Sequence, residues 1–216
     1  FELPLDVKPG FASVLEVENP RLFGRICQSL LSFEGRRAIE PYALWGDQGK
    51  EVKPKDAYLA IANPFSLPWS DREFVAGLYR RMELLVLEDH ELREEMETLA
   101  RDLSSSVAAL GFQLSSDYRF GVEWQLSHYL KAFGFGIDRF GDDSLLDSLI
   151  KFVSLASDVS LERALLFVNL KTFLSQNDIE LLYEQAFLSG IALILLENKM
   201  SAEYSEREVK RGIDQC

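Results

Sequence analysis

The sequence has 216 residues, of which 47% are hydrophobic and 27% charged, enough for one substantial core with a smaller appended unit. Its formal net charge of −12 excludes a monomer with general affinity for nucleic acid or anionic membrane. No apolar run approaches the ~20 residues of a membrane-spanning helix, and FELPLDVKPG has neither the basic nor the apolar segment of a secretory signal, so a soluble cytoplasmic protein is expected.

Along the chain, Phe11 to Val17 follows the turn signal Lys8-Pro9-Gly10 and is β-rich, predicting a strand. A helix is expected from Pro20, with Asn19 as its cap and Leu22, Ile26 and Leu30 at helical spacing. Residues 34–56, with Gly35, Pro41, Gly46, Gly49 and Pro54, predict irregular or hairpin structure, and Ala57 to Ala62 a second buried strand. The chain then changes character. Ser70-Asp-Arg-Glu73 has the form of a capping box, followed by a stripe of Phe74, Leu78, Met82 and Leu85. His90 to Leu110 repeats Leu92, Met96, Leu99, Leu103, Val107 and Leu110 on one face, so two long amphipathic helices are predicted, then a third over Val122 to Phe133.

From Gly141 the α/β pattern resumes, with a helix over Asp142 to Ala156. Ala164 to Val168 and Ile191 to Leu196 are continuous apolar runs, as strands buried on both faces must be. The helix between them opens with Ser175-Gln-Asn-Asp178 and closes at Gly190, predicting a parallel βαβ unit. The expected organisation is an α/β head from residues 1–60 and 140–216, with residues 61–139 inserted as a helical leg.

Such a sheet often binds nucleotides, but the chemistry is missing. The first strand leads to its helix through Glu16 to Arg25, EVENPRLFGR, without the glycines, Lys and hydroxyl that wrap a phosphate and its Mg²⁺. Asn169 stands where a Mg²⁺-binding aspartate would end a strand, and an amide replaces a carboxylate poorly on a hard cation. Lys171 after it is expected as an ordinary solvated lysine. His90 and His128 lack nucleophile or metal partners at recognisable spacing, and Cys27 and Cys216 make neither a metal motif nor a disulfide framework.

The basic residues carry the remaining signal. Residues 1–60 hold 8 basic and 9 acidic side chains, against 15 and 26 in the remaining 156 residues, so the first third is where a local basic surface is expected. Arg21 and Arg25 lie one helical turn apart, Lys50, Lys53 and Lys55 cluster in a loop, and Lys131 and Arg139 flank the return to the head. Together they could neutralise phosphates without reading bases. Asp117, Glu123 and Asp138 are candidate oxygen ligands for a hard cation such as Ca²⁺, although their spacing matches no EF-hand loop.

The entry Glu18-Asn19-Pro20-Arg21-Leu22-Phe23, the helical insertion, Leu166 to Ser175 (LFVNLKTFLS), Ile179 to Leu182 (IELL) and Ile194 to Glu197 (ILLE) together resemble the CRISPR-associated Csn-type adaptation proteins of type II-A systems. The resemblance runs over nearly the whole chain. It implies a head like that of P-loop ATPases without a working phosphate loop, bearing an inserted helical leg. It further implies a non-enzymatic homotetrameric ring that holds double-stranded DNA, preferentially with free ends, through a basic hole during spacer acquisition. Bound calcium, CRISPR integrase proteins and an RNA-guided effector nuclease are the implied cofactor and partners; a nucleotide or a membrane is not expected. Arg21, Arg25, Lys131 and Arg139 match the inward-facing basic positions. Asp117 and Glu123 fall where the family keeps metal-binding carboxylates, with Arg119 and Gly121 making this chain sparser in acids there. Two other readings stand beside it: a divergent nucleotide hydrolase or nuclease on the same core, and a helical protein-interaction module.

Overall fold

The structure, a computed structural model, describes residues 4–46, 48–116, 124–137 and 143–213. Two compact units emerge, one from Phe1–Trp69 with Arg139–Cys216 and the other from Ser70–Asp138.

The first unit is built on a five-stranded sheet of β1 (Ala12–Val17), β4 (Tyr58–Ile61), β5 (Ala164–Val168), β6 (Leu193–Glu197) and β7 (Glu208–Ile213). Their order is β4-β5-β6-β1-β7, and every pairing is parallel. A two-residue hairpin, β2 (Leu44–Trp45) with β3 (Glu51–Val52), stands apart from this sheet. Helices α1 (Pro20–Ser32), α2 (Pro54–Ala57), α6 (Leu145–Asp158) and α7 (Gln176–Ser189) complete the unit, with short 3₁₀ turns at Gly35–Arg37 and Leu170–Thr172.

Register decides which residues share a face. Ala12, Val14 and Glu16 align with Leu193, Leu195 and Glu197 on one side and with Glu208, Lys210 and Gly212 on the other, because strand side chains alternate with period two. Helix α7 lies over this face, its Tyr183 hydroxyl reaching Glu208 at 3.0 Å, and α6 packs beside α7. The opposite face carries Tyr58, Ala164 and Leu166, covered by Leu30 and Phe33 of α1 and its following turn. Leu165, Phe167, Leu193 and Leu195 are fully buried in the middle, each stabilising the fold by about 1.5–3 kcal/mol through burial of its apolar surface.

The predicted βαβ unit is present as β5-α7-β6, with Ser175 and Asp178 forming a reciprocal capping box and Gly190 in the left-handed conformation at φ 66°. Three local expectations change. Asp71, not Ser70, caps α3 (Arg72–Glu88), its carboxylate accepting from the amide of Glu73. The second strand starts at Tyr58 because Pro54, placed at the first helical position, closes a helical turn through Ala57. The last apolar strand runs one residue further than its apolar pattern, taking Glu197 into the sheet.

The second unit comprises α3, α4 (His90–Gly111) and α5 (Leu126–Ala132). Val86, Leu126 and Leu130 form its buried centre, with Tyr79, Met82, Met96 and Trp124 packed around them. Asp89 joins α3 to α4 and caps the latter by accepting from the Leu92 amide at 3.0 Å. The α4 stripe is only partly used within the chain: Leu99, Leu103 and Leu110 remain 61%, 58% and 61% exposed. The third helix is shorter than predicted, and positions 122 and 123 of that prediction lie outside the described residues.

Candidate nucleic-acid interface

In parallel α/β sheets, ligands bind beyond the carboxyl ends of the strands, where helix N-termini offer free amides. Here that end is closed by the chain itself. Pro20 has no amide hydrogen, the Asn19 carboxamide oxygen accepts from the amides of Arg21 and Leu22 at 3.0 and 3.1 Å, and the Phe23 amide is bonded to the Asn19 carbonyl at 2.9 Å. All the donors that would hold a phosphate at the start of α1 are therefore engaged.

Asn169 is engaged as well. It sits at φ 53°, a left-handed conformation that asparagine tolerates better than most residues, and its side-chain oxygen accepts from the Asn198 amide at 3.0 Å. Its own amide donates to the Leu196 carbonyl at 2.8 Å, so Asn169 ties the end of β5 to the end of β6.

Lys171 corrects the expectation of a solvated lysine. Its ammonium lies 2.8 Å from Glu208, with side chains 17% and 2% exposed. Glu208 also accepts from Lys210 at 3.0 Å and from Tyr183. Burial alone would raise the Glu208 carboxyl, but the bonds from Lys171 and Lys210 outweigh it and hold it below its ordinary range. Glu16 and Glu197, neighbours in the β1–β6 register, are 4% and 3% exposed. Glu197 accepts from the Lys171 amide at 3.1 Å, yet burial pushes its carboxyl up to about 7, with Glu16 adding to the rise. This buried network escaped the sequence reading because each member, taken singly, has the composition of a surface residue.

The expected basic residues are distributed over the surface. Arg21 is exposed in the first turn of α1, just beyond the carboxyl end of β1. Arg25, one turn on, is drawn into an ion pair with Glu40 at 2.5 Å. Lys50, Lys53 and Lys55 are exposed beyond the opposite end of the sheet, ahead of β4, and the Lys55 carbonyl accepts from Arg163 at 3.1 Å. The 13 residues of α1 rise ~20 Å, so Arg21 and the lysine cluster mark different ends of the head. Lys131 is exposed on α5 of the second unit. Arg139, Asp117, Glu123 and Asp138 lie outside the described residues. Among the described residues no group of three ligating side chains could hold a metal ion.

Arg36, Arg37 and Trp45 belong with the lysine cluster and were not singled out from the sequence. Arg36 donates twice to Glu51, at 2.7 and 3.1 Å, and its guanidinium lies 6.0 Å over the Trp45 ring. Arg36, Arg37, Glu51 and Lys53 line a common shallow cleft. His90 is exposed and faces Glu94 at 3.7 Å, His128 is exposed, and burial raises the Cys27 thiol away from reactivity.

A family model described as "CRISPR-associated protein (Cas_Csn2)" matches residues 39–210. Among solved structures, Stu0660 of Streptococcus thermophilus shares the fold, with a TM-score of 0.58 at 14% identity over 98% of this chain and 72% of that one. No curated protein matches the sequence. No described helix is long and apolar enough to cross a membrane.

Proposed function

The chain belongs to the Cas_Csn2 family of CRISPR-associated proteins, and from that membership we propose that it is a non-enzymatic, sequence-independent binder of double-stranded DNA ends that acts in spacer acquisition. The observation that carries the reading is the self-satisfied start of α1: with Asn19 occupying the amides of Arg21 and Leu22, the sheet serves as a scaffold. Exposed cations on that scaffold supply phosphate contacts, and the acidic remainder of a chain of net charge −12 discourages indiscriminate binding.

A homotetrameric ring completes the proposal, because several copies of a modest basic patch around one hole create a field that a single acidic chain lacks. The exposed α4 leucines support self-association, since contiguous apolar surface of this kind marks interaction sites. The same surface favours a second reading, a helical module for a protein partner; integrase proteins and the RNA-guided nuclease are the partners of the acquisition reading. Calcium enters as a support of conformation. Asp117, Glu123 and Asp138 would hold it, being hard oxygen donors of the type the ion takes.

The test combines mass in solution, with and without Ca²⁺, and gel-shift of linear against closed circular duplex. A tetramer that binds linear DNA with steep salt dependence is expected. A monomer without salt-sensitive binding, or DNA-dependent ATP or DNA turnover that disappears in Asn169→Ala, overturns the reading.

A further inference from the structure

The β2–β3 hairpin has two residues per strand, too short to be stable on its own, yet it displays an indole that is 63% exposed. Trp45 faces Glu51 across the pair, and Arg36, clamped bidentately by that carboxylate, lies over the ring. The clamp orients the guanidinium, and the guanidinium orients the indole through the attraction of a cation for a π face. Trp45 thus meets Arg36 on one face while most of its surface stays open to solvent.

The charges beside it are not similarly consumed. Among the described residues no carboxylate pairs with Arg37, Lys50 or Lys53, and all three are exposed. Arg37 and Lys53 line the cleft with Glu34 and Glu51, while the Lys50 carbonyl accepts from the amide of Gly46, next to Trp45, at 2.9 Å. With Glu51 neutralised by Arg36, Arg37 and Lys53 face Glu34 among the described residues of the cleft, an excess of positive charge in a chain that is acidic as a whole. An oriented flat ring flanked by free cations is complementary to a polyanion that carries exposed flat π faces. The interior of a duplex hides those faces in its stack and a blunt end exposes only the outer face of its last pair, whereas an unpaired base at a strand end is free to leave the stack and lie on the ring.

We propose that Trp45 is a stacking platform for an unpaired nucleobase at a DNA end, with Arg37, Lys50 and Lys53 taking the adjoining phosphates. The inference rests on the DNA-binding reading above and specifies the end structure it prefers: a single-stranded overhang. The probe is a fluorescently labelled duplex, blunt or with a three-nucleotide overhang, titrated with the full chain by anisotropy. The parent protein is expected to bind the overhang at least about fivefold more tightly, the lower end of the range for one base stacked on an aromatic ring. Trp45→Ala should lose the preference for the overhang with an unchanged melting curve, while Trp45→Phe keeps part of it. Quenching of indole emission by the overhang duplex should be lost in Trp45→Ala. Equal affinity of the parent for the two duplexes, or a preference that survives in Trp45→Ala, overturns the inference and leaves the indole to a protein partner. A parent protein that binds neither duplex overturns the DNA reading itself, and this inference with it.

Discussion

Replacing Lys171 with Met keeps most of the side chain's length and apolar stem and removes the charge set against Glu208. The carboxylate would remain 4% exposed, deprived of its 2.8 Å partner but still bonded by Lys210 at 3.0 Å and Tyr183 at 3.0 Å. Stranding a buried charge costs about 3–5 kcal/mol. Because Lys210 stays, the expected loss is smaller, about 2–3 kcal/mol, still a large part of the ~5–15 kcal/mol by which a domain of this size is stable. The amide of residue 171 continues to donate to Glu197, which confines the perturbation to the ammonium. Urea unfolding followed by circular dichroism should show a lower midpoint at unchanged slope. The double variant Lys171→Met/Glu208→Gln should recover more than half of the loss, since a neutral amide needs no counter-charge. The pH dependence has a definite sign. A carboxyl held below its ordinary range contributes stability that is present above its unfolded pKa and lost in acid, so the deficit of Lys171→Met should shrink as the pH falls below the ordinary carboxyl value of 4.5. A loss below ~0.5 kcal/mol, or strictly additive effects in the double variant, would refute the buried-pair argument.

Glu197 carries the opposite sign. Its carboxyl, raised from 4.5 to about 7 by burial, favours the folded state while protonated, so that contribution is complete below the unfolded value and lost as pH rises through 7. Urea midpoints between about pH 5 and 8 should fall by the equivalent of roughly 3 kcal/mol at most, and Glu197→Gln should flatten the profile; parallel profiles in the two proteins would count against it. Asn169→Gly should cost about 1 kcal/mol through the lost bond to Asn198, and Asn169→Ala about 2–3 through added left-handed strain, with thermal melting as the measure. On α4, Leu99→Lys with Leu103→Glu should lower the mass measured in solution while leaving circular dichroism unchanged, because both side chains are exposed within the chain; an unchanged oligomer would remove α4 from the interface.

Elements whose side chains report their surroundings directly were legible in the sequence. Ala164–Val168 and the Leu193 to Leu196 part of β6 are apolar on both faces because both faces are covered, and the Ser175–Asp178 box closes on itself over three residues. The edge strand Glu208–Ile213 was not legible: its charged residues on one face satisfy one another beneath α7 instead of facing water. Lys171 and Glu208 are separated by 37 positions, and nothing local marks them as partners. The basic candidates form several groups for the same reason. Arg21 and Lys55 are placed by opposite ends of the head's elements, and Arg25 by the distant Glu40.

The sequence by itself determined the parallel α/β core, its caps, and the absence of a phosphate-binding glycine loop, because these depend on local spacing and on residue types that tolerate no substitute. Tertiary structure decided which charges are buried, which of the described cations are paired, and that Arg36 lies over the Trp45 ring beside Arg37 and Lys53. Electrostatic fate depends on neighbours far along the chain and on the solvent they exclude. A lysine is a solvated charge or half of a buried pair according to the fold that surrounds it.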